Sequence, residues 1–354
     1  MKKIWKIILI VLLALIVLAG GYAAYVFLDY HRIGDRPLTA EGDAAGTLET
    51  GVPYGVLSWN IGFGAYTEDY DFFMDGGTQS WAESPERLTQ NLSDIADTLR
   101  GQTADFYLIQ EVDIGATRTY QIDERPYVAD GVGAGFAVTF AQNYDSPFLL
   151  YPLTQPHGAS RAGLMTFSAA PIAAAERVEL PVESGFMKLL DLDRCYSVQH
   201  IPLADGTGEL VLYNLHLSAY TSDGTIATEQ LKLLCADMCA EYEKGNWCVA
   251  GGDFNKDLLG NSAEIFGVAG RDGDNWAKQI PAGTIPDALT LVAPTGAASC
   301  RTPDAPYDPE TAFRVTVDGF LVTPNVSVAG AEVVDTGFAW SDHNPVRMTF
   351  TLLP

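Results

Sequence analysis

The nine residues Trp247-Cys248-Val249-Ala250-Gly251-Gly252-Asp253-Phe254-Asn255 constrain the fold more than any other stretch of the chain. The apolar run reads as a buried strand, the two glycines allow a tight turn and close backbone approach, and a carboxylate emerges at the strand's end. Strand ends along one edge of a sheet are where an α/β protein keeps its chemistry. The same letters also describe an ordinary strand-to-turn exit closed by an Asx turn. The rest of the chain has to decide between a turn and a site.

From Gly55 onward, short apolar runs alternate with helical segments, the pattern of a layered α/β or α+β domain. Val56–Trp59 reads as a strand ending in Asn60. Ser84 at the N-cap, Pro85 at the first helical position, and Leu88, Leu92, Ile95 and Leu99 at helical spacing predict a helix to Arg100. Phe106–Ile109 is a strand that runs into Gln110-Glu111. The stretch 115–190 has the weakest periodicity. Within it, Gly131–Gly135 lacks the Lys-Ser/Thr ending and the following helix of a phosphate loop and reads as a turn. Gly163–Ser168 and Leu210–Leu215 are strands, the second delivering His216. Thr228–Tyr242 is a helix with Leu231, Leu234, Cys235 and Met238 on one side. After a loop-rich 256–312, Val315–Val322 is a strand interrupted by Asp318, and Ser341-Asp342-His343-Asn344 precedes a last strand ending at Leu352.

A chain of 354 residues, 47% hydrophobic, can bury a large core. Its formal charge of -24 excludes a broad basic surface for tight, non-specific nucleic-acid binding. Divalent cations can still supply positive charge locally. Five cysteines without a CxxC pair indicate neither a dense disulfide framework nor a structural zinc site. Cys235 and Cys239 share a helix face, as packed small hydrophobes do.

Residues 1–28 begin with Lys2, Lys3 and Lys6 and continue in an apolar run from Ile7 to Leu28. At about 1.5 Å per residue the run reaches roughly 33 Å, enough to cross a bilayer. The leading lysines place the N-terminus inside and everything after Asp29 outside. Small residues at Ala19–Ala24 also suit a cleaved signal peptide, but the apolar sequence resumes at Tyr25-Val26-Phe27-Leu28, as an anchor requires. Residues 29–50 lack a period and read as a spacer. Residues 51–354 form the body, and no obligate protein partner is evident from the sequence.

Asn60, Glu111, His216, Asp253 with Asn255, Asp318 and Asp342-His343 all lie at or within strand-like runs. Each alone has a structural explanation: a solvated strand end, a satisfied core histidine, a turn residue or a cap. Their recurrence points to one crevice. Glu and Asp are hard ligands for Mg²⁺, Mn²⁺ or Ca²⁺. Asp253 can take a proton from an attacking water, and Asn60 and Asn255 offer neutral amides to the water and to a phosphate oxygen. A histidine paired with a carboxylate stays protonated and stabilises charge on pentacoordinate phosphorus. Metal-assisted hydrolysis of a phosphate ester uses all these parts.

Leu57-Ser58-Trp59-Asn60, Gln110-Glu111, Asn214-Leu215-His216, Gly252-Asp253-Phe254-Asn255, Val317-Asp318-Gly319-Phe320 and Ser341-Asp342-His343-Asn344-Pro345 resemble, in order, the motif set of the endonuclease/exonuclease/phosphatase superfamily. The resemblance covers about residues 52–354. It implies an α/β four-layer sandwich, two packed mixed β-sheets flanked by helices, here preceded by one transmembrane helix. It also implies a Mg²⁺-dependent phosphoesterase. By the same resemblance Glu111 is the main metal ligand with Asn60 beside it and Asp342 nearby. Asp253 orients or deprotonates the water, Asn255 contacts phosphate, and His343, oriented by Asp318, meets the scissile phosphate. His216 matches the additional histidine of the deoxyribonuclease I and sphingomyelinase branches, which contacts the phosphate or aids the leaving group.

The sequence departs from that pattern twice. Asp318 is followed by Gly319 where the family has tyrosine, and Ala169-Ala170 lacks the basic residue usual before Pro171-Ile172. Arg118 can bind a substrate phosphate, or lie on the surface as arginines commonly do. The aromatic segment Tyr66–Phe73 can touch lipid or pack on its own domain. The expectation is therefore an extracytoplasmic, membrane-anchored phosphodiesterase acting on a lipid headgroup or on nucleic acid, against the alternative of an inactive surface binding module.

Overall fold

The computed structural model describes residues 2–183, 193–219, 224–271 and 276–354. The chain begins with α1 (Lys2–Asp29), β1 (Arg36–Pro37), β2 (Pro53–Asn60), α2 (Pro85–Arg100), β3 (Phe106–Asp113), α3 (Arg125–Val132), β4 (Ala137–Asp145) and β5 (Arg161–Ser168). It continues through β6 (Ala174–Glu179), β7 (Cys195–Pro202), β8 (Glu209–His216), α4 (Thr225–Glu243), β9 (Trp247–Asp253) and α5 (Ser262–Ile265). It ends with β10 (Thr290–Val292), β11 (Cys300–Arg301), β12 (Arg314–Val315), β13 (Asp318–Val322), β14 (Val326–Val333) and β15 (Val346–Leu352).

Two mixed sheets pack face to face. The seven-stranded sheet has the order β1-β6-β7-β8-β9-β13-β10 and the six-stranded sheet the order β14-β15-β2-β3-β5-β4. The period-two alternation of each strand divides its side chains between layers. Val56, Phe106, Leu108, Leu212, Val249 and Phe320 enter the core between the sheets. Leu57, Tyr107 and Ile109 point outward beneath Leu88, Leu92, Ile95 and Leu99 of α2, while Val211, Tyr213 and Leu215 point outward beneath Leu231, Leu234 and Met238 of α4. The four layers are thus helix, sheet, sheet and helix. Strands covered on both faces are apolar at nearly every position, which is why β2, β3, β8 and β9 stood out as runs.

Helix α2 starts where its caps predict. Ser84 Oγ accepts from Arg87 N at 3.0 Å, and Pro85 opens the helix. Burying each of its leucines stabilises the fold by up to about 1.5–3 kcal/mol. The strand expected over Val315–Val322 splits into β12 and β13. Ser299 Oγ accepts from Val317 N and from Asp318 N, each at 3.0 Å, and draws this backbone out of the ladder. Helix α3 occupies part of the stretch without clear periodicity and ends at Val132, leaving Gly133 and Gly135 with positive φ in the expected turn.

Residues 29–50 differ from the free spacer the sequence suggested. Arg36–Pro37 pairs with β6, and Leu48 is buried in the core between the sheets. Arg32 Nε reaches Glu179 at 3.1 Å and its Nη1 reaches Asp193 at 3.6 Å. Arg177 donates to the carbonyls of Ile33 and Gly34. These contacts lash the segment along the body. Helix α1, by contrast, is exposed along nearly its whole length, and it is long and apolar enough to span a membrane, as a signal sequence also can be. All five cysteines are free.

Candidate active site

Three neighbouring strands place three of the side chains singled out from the sequence on one rung. In the parallel pair β8–β9, His216 lies opposite Asp253; in the antiparallel pair β9–β13, Asp253 lies opposite Asp318. The glycines before Asp253 make the rung possible. A Cβ on Gly252, whose φ is +148°, would lie 2.0 Å from the Leu215 carbonyl oxygen, and one on Gly251 would press into Phe320 and Leu108. The facing sheet contributes Asn60 from the end of β2 and Glu111 from β3. Glu111 sits at an irregularity in the β3–β5 pairing with φ +56°, and that bulge turns its side chain toward the rung.

Asn60 Nδ2 ties the two sheets together, donating to Glu111 Oε1 at 3.1 Å and to Asp253 Oδ2 at 3.2 Å. Behind it, Gln110 Nε2 donates to Asn214 Oδ1 at 2.8 Å, and Asn214 Nδ2 donates to the Met165 carbonyl at 2.9 Å. This buried amide pair fixes the spacing of β3 and β8 beneath the site. The loop before β15 supplies His343, whose Nδ1 is 2.8 Å from Asp318 Oδ2, while Ser299 Oγ donates to the same oxygen at 2.7 Å. His343 Nε2 faces Asp253 Oδ2 at 3.8 Å and Cys300 Sγ at 3.4 Å. Burial alone would push His343 down, but the carboxylates of Asp318, Asp342 and Asp253 hold it well above the ordinary histidine value.

His216 is the opposite case. Burial, with the charges of Arg194 and His343 added, pushes it well below the ordinary value. Its Nε2 lies 3.5 Å from Asp253 Oδ2 and 3.8 Å from Glu111 Oε1. These distances suit an ion pair, but the desolvation of an enclosed ring outweighs them, and His216 is read as neutral. Burial, reinforced by Asp318 and opposed by His343, pushes Asp253 upward. Burial likewise raises Glu111 and Asp342.

Asn255 has φ +49° and donates from Nδ2 to the Leu217 carbonyl at 2.7 Å, and its backbone N–H donates to Asp253 Oδ1 at 2.8 Å. This is the Asx turn of the sequence's plainer reading, here built into the site. Arg118 is buried, gripped by both oxygens of Asp113 at 2.8 and 2.9 Å and stacked 3.7 Å from the Phe63 ring centre. It therefore reaches the cavity already neutralised. The cavity, about 150 Å³, is also lined by Glu111, His216, Asp253, Asp342 and His343. Of the sites named from sequence, Asn60 and Asp318 stand behind the lining.

Arg194 and Arg301 line the same cavity and were not singled out from sequence. Both are buried, and the Nε of each lacks a hydrogen-bond partner among the described residues. Arg194 immediately precedes β7 and Arg301 ends the two-residue β11, and only the fold brings them to the site. Tyr66, Tyr70 and Phe72 are buried, so most of the aromatic segment packs on its own domain.

Solved structures share this arrangement of sheets. An endonuclease/exonuclease/phosphatase from Beutenbergia cavernae is 18% identical, with a TM-score of 0.57 over 85% of this chain and 72% of that one. A protein of the same description from Bacteroides vulgatus is 15% identical, with a TM-score of 0.54 over 85% of this chain and 99% of that one. This is the endonuclease/exonuclease/phosphatase fold. ANGEL2, described as a 2',3'-cyclic phosphatase in complex with adenosine-2',3'-vanadate, also has it, at 14% identity and a TM-score of 0.54 over 89% of this chain and 99% of that one. No family model matches the sequence, and no curated protein matches it.

The first departure from the superfamily pattern, at Gly319, has a steric cause in this version of the endonuclease/exonuclease/phosphatase fold. A Cβ on Gly319 would lie 2.6 Å from Leu258 Cδ1 and 2.9 Å from the Val292 carbonyl, so β10 leaves no room for tyrosine. Ala170 is buried in the core between the sheets, with Leu48 in the same cluster. A basic side chain at Ala170 would be stranded in apolar surroundings, whereas Ala169 is only partly buried.

The donor set fits a hard divalent cation. Glu111, Asp253 and Asp342 bring buried or partly buried carboxylates to one cavity, and close acids of this kind repel one another unless a cation or proton intervenes. Asp253, Asp318 and His343 form a tighter group, with donor atoms within 4.8 Å of one another. Asp318 and His343 spend their facing atoms on each other, however, so that group is better suited to holding a proton than a metal. Asn60 turns its oxygen to Gly62 N at 3.0 Å and its amide nitrogen to the carboxylates, so in this orientation it braces the acids rather than ligating a cation.

Proposed function

We propose that this chain is a divalent-metal-dependent phosphoesterase that hydrolyses a phosphodiester by in-line attack of water. The observation that carries the reading is Asp253 set between two histidines, His216 at 3.5 Å, which burial pushes toward the neutral form, and His343 at 3.8 Å, which Asp318 and its neighbouring carboxylates hold toward the cation. Environments that drive titratable neighbours apart mark acid–base chemistry.

Asp253 takes the proton of the attacking water as its oxygen bonds to phosphorus. The ester P–O bond opposite breaks, and the leaving oxygen is protonated from solvent. His343, oriented by Asp318, neutralises charge on the phosphoryl oxygens. His216 contacts the phosphate as a neutral donor, and the second amide hydrogen of Asn255 is left for a phosphate oxygen. Arg194 and Arg301 add two cationic groups for the anion, with Arg118 in support. Mg²⁺, or Mn²⁺ or Ca²⁺, held by Glu111 and Asp342 would supply Lewis-acid polarisation of the phosphoryl group.

Helix α1 is read as a single-pass anchor with the body on the extracytoplasmic side, from Lys2, Lys3 and Lys6 at its start. An inactive binding module is disfavoured, because Glu111, Asp253, Asn255 and His343 are all retained and brought together. The charge of -24 also disfavours duplex nucleic acid as substrate. Asp253→Asn and His343→Ala should each abolish Mg²⁺-dependent hydrolysis of bis(p-nitrophenyl) phosphate; unchanged turnover in both would refute the assignment.

A further inference from the structure

The apolar side of the catalytic cavity continues toward α1. Met74, Tyr144 and His157 line the catalytic cavity and also a second cavity of about 560 Å³. The second cavity has α1 as one wall, through Tyr22, Val26 and Phe27, and the loop residues Leu149, Leu150 and Tyr151 as another. The loop is fastened to the helix. Tyr22 Oη donates to the Phe148 carbonyl at 3.2 Å and accepts from Leu150 N at 2.9 Å, and Tyr25 Oη accepts from Phe148 N at 3.0 Å.

That fastening fixes the height of the loop. Tyr22 lies seven residues before the helix end at Asp29, about 10 Å along the axis. A bilayer crossed by α1 over its apolar run therefore reaches the loop. The loop's side chains suit that place: Tyr151 is 69% exposed and Leu153 84% exposed, with Phe148 and Leu150 also exposed. Outside α1, five of the nine exposed large hydrophobic residues among the described ones (Met74, Phe148, Leu150, Tyr151, Leu153) lie in this region. Such a concentration marks an interaction surface.

We propose that the second cavity receives the hydrocarbon tail of a membrane phospholipid from the bilayer that α1 crosses, and that it leads the lipid's phosphodiester to Asp253 and His343. The proposal rests on the phosphoesterase reading and names its substrate class. The occupant follows from continuity: one wall is a helix whose remaining surface is itself apolar and exposed, and through Met74, Tyr144 and His157 the cavity adjoins the one lined by Arg194, Arg301, Asp253 and His343. A water-soluble ester would need the second end alone. Hydrolysis releases the headgroup side or the tail side as the alcohol, with water supplying oxygen to phosphorus and no other co-reactant.

The test uses the full chain with Mg²⁺ in vesicles of phosphatidylcholine and phosphatidylglycerol, with bis(p-nitrophenyl) phosphate as the soluble comparison. The Leu150→Glu/Tyr151→Glu double variant should lose at least tenfold in vesicle lipid hydrolysis and stay within twofold on the soluble diester. Vesicle hydrolysis retained by the variant, a parallel fall in both activities, or a parent that cleaves only the soluble diester would each overturn the proposal. A parent inactive on the soluble diester would instead refute the phosphoesterase reading, and the tail site with it. Independently, tryptophan introduced by Tyr151→Trp should be quenched by brominated acyl chains beyond the parent's own quenching. Absence of that extra quenching overturns the membrane placement of the loop.

Discussion

Asp318 Oδ2 and His343 Nδ1 lie 2.8 Å apart, with Ser299 Oγ 2.7 Å from the same carboxylate oxygen. One strand end and one loop thereby fix both the direction and the protonation of the ring that faces Asp253. The carboxylate works against burial, which would otherwise strip the proton from His343. Asp318→Asn removes the charge and keeps the shape. The folded-state pKa of His343 is raised, so the cationic form persists as pH rises; the substitution lowers that pKa and moves the alkaline limb of kcat/KM to lower pH. The rate at neutral pH should fall by about 10²–10⁴, the usual range for a disabled acid–base group. A pH–rate profile of parent and variant checks both.

Chelation should act on stability as well as on rate. The carboxylates of Glu111, Asp253 and Asp342 are crowded, and burial already raises all three. A cation that binds only the folded state adds roughly 2.7 kcal/mol at a hundred times its dissociation constant. EDTA should therefore abolish hydrolysis and lower the melting temperature, with Mg²⁺ restoring both. Glu111→Gln should lose the Mg²⁺-dependent rise in melting temperature.

Arg194 and Arg301 should govern anion affinity. Their Nε atoms are unpartnered among the described residues and their chains line the cavity, whereas Arg118 is already paired with Asp113. A charged hydrogen bond is worth about 1.5–3 kcal/mol, so each Arg→Met variant should weaken competitive inhibition by inorganic phosphate roughly ten- to hundredfold. Arg118→Met should instead lower the melting temperature, because it leaves Asp113 buried without its partner. Inhibition constants and thermal denaturation of the three variants separate the roles.

The contrast among these arginines shows what could be read from sequence. β2, β3, β8 and β9 were legible because double-sided burial writes a continuous apolar run, and Asn60, Glu111, His216 and Asp253 were legible as the polar residues that end or exit such runs. Arg194 and Arg301 carry no such mark, since a buried cation and a surface cation look alike in one dimension. The bulge at Glu111 was hidden for the same reason, being a property of β3 against β5. β14, with an alternating and largely exposed pattern, and β4 lack the long apolar run and were passed over. Residues 29–50 resembled a spacer because their fastening depends on Arg32 finding Glu179 and Asp193, far along the chain.

Gly252 provides the sharpest test of how the fold makes the site. Its φ of +148° is rarely adopted by other residues, and an added Cβ would meet the Leu215 carbonyl oxygen at 2.0 Å. That atom is backbone in the parallel partner strand and cannot rotate away. Relieving the clash means parting β8 from β9 at the rung that pairs His216 with Asp253. Gly252→Ala should cost at least about 3 kcal/mol, in the range reserved for strained backbone and broken core packing. Gly251→Ala differs, because its nearest atoms belong to the side chains of Phe320 and Leu108. Those can shift, and overpacking of that kind costs about 1–3 kcal/mol. Urea denaturation of the two variants should rank Gly252→Ala as the more damaging, and a reversed order would show that the strand pair yields more easily than the core between the sheets.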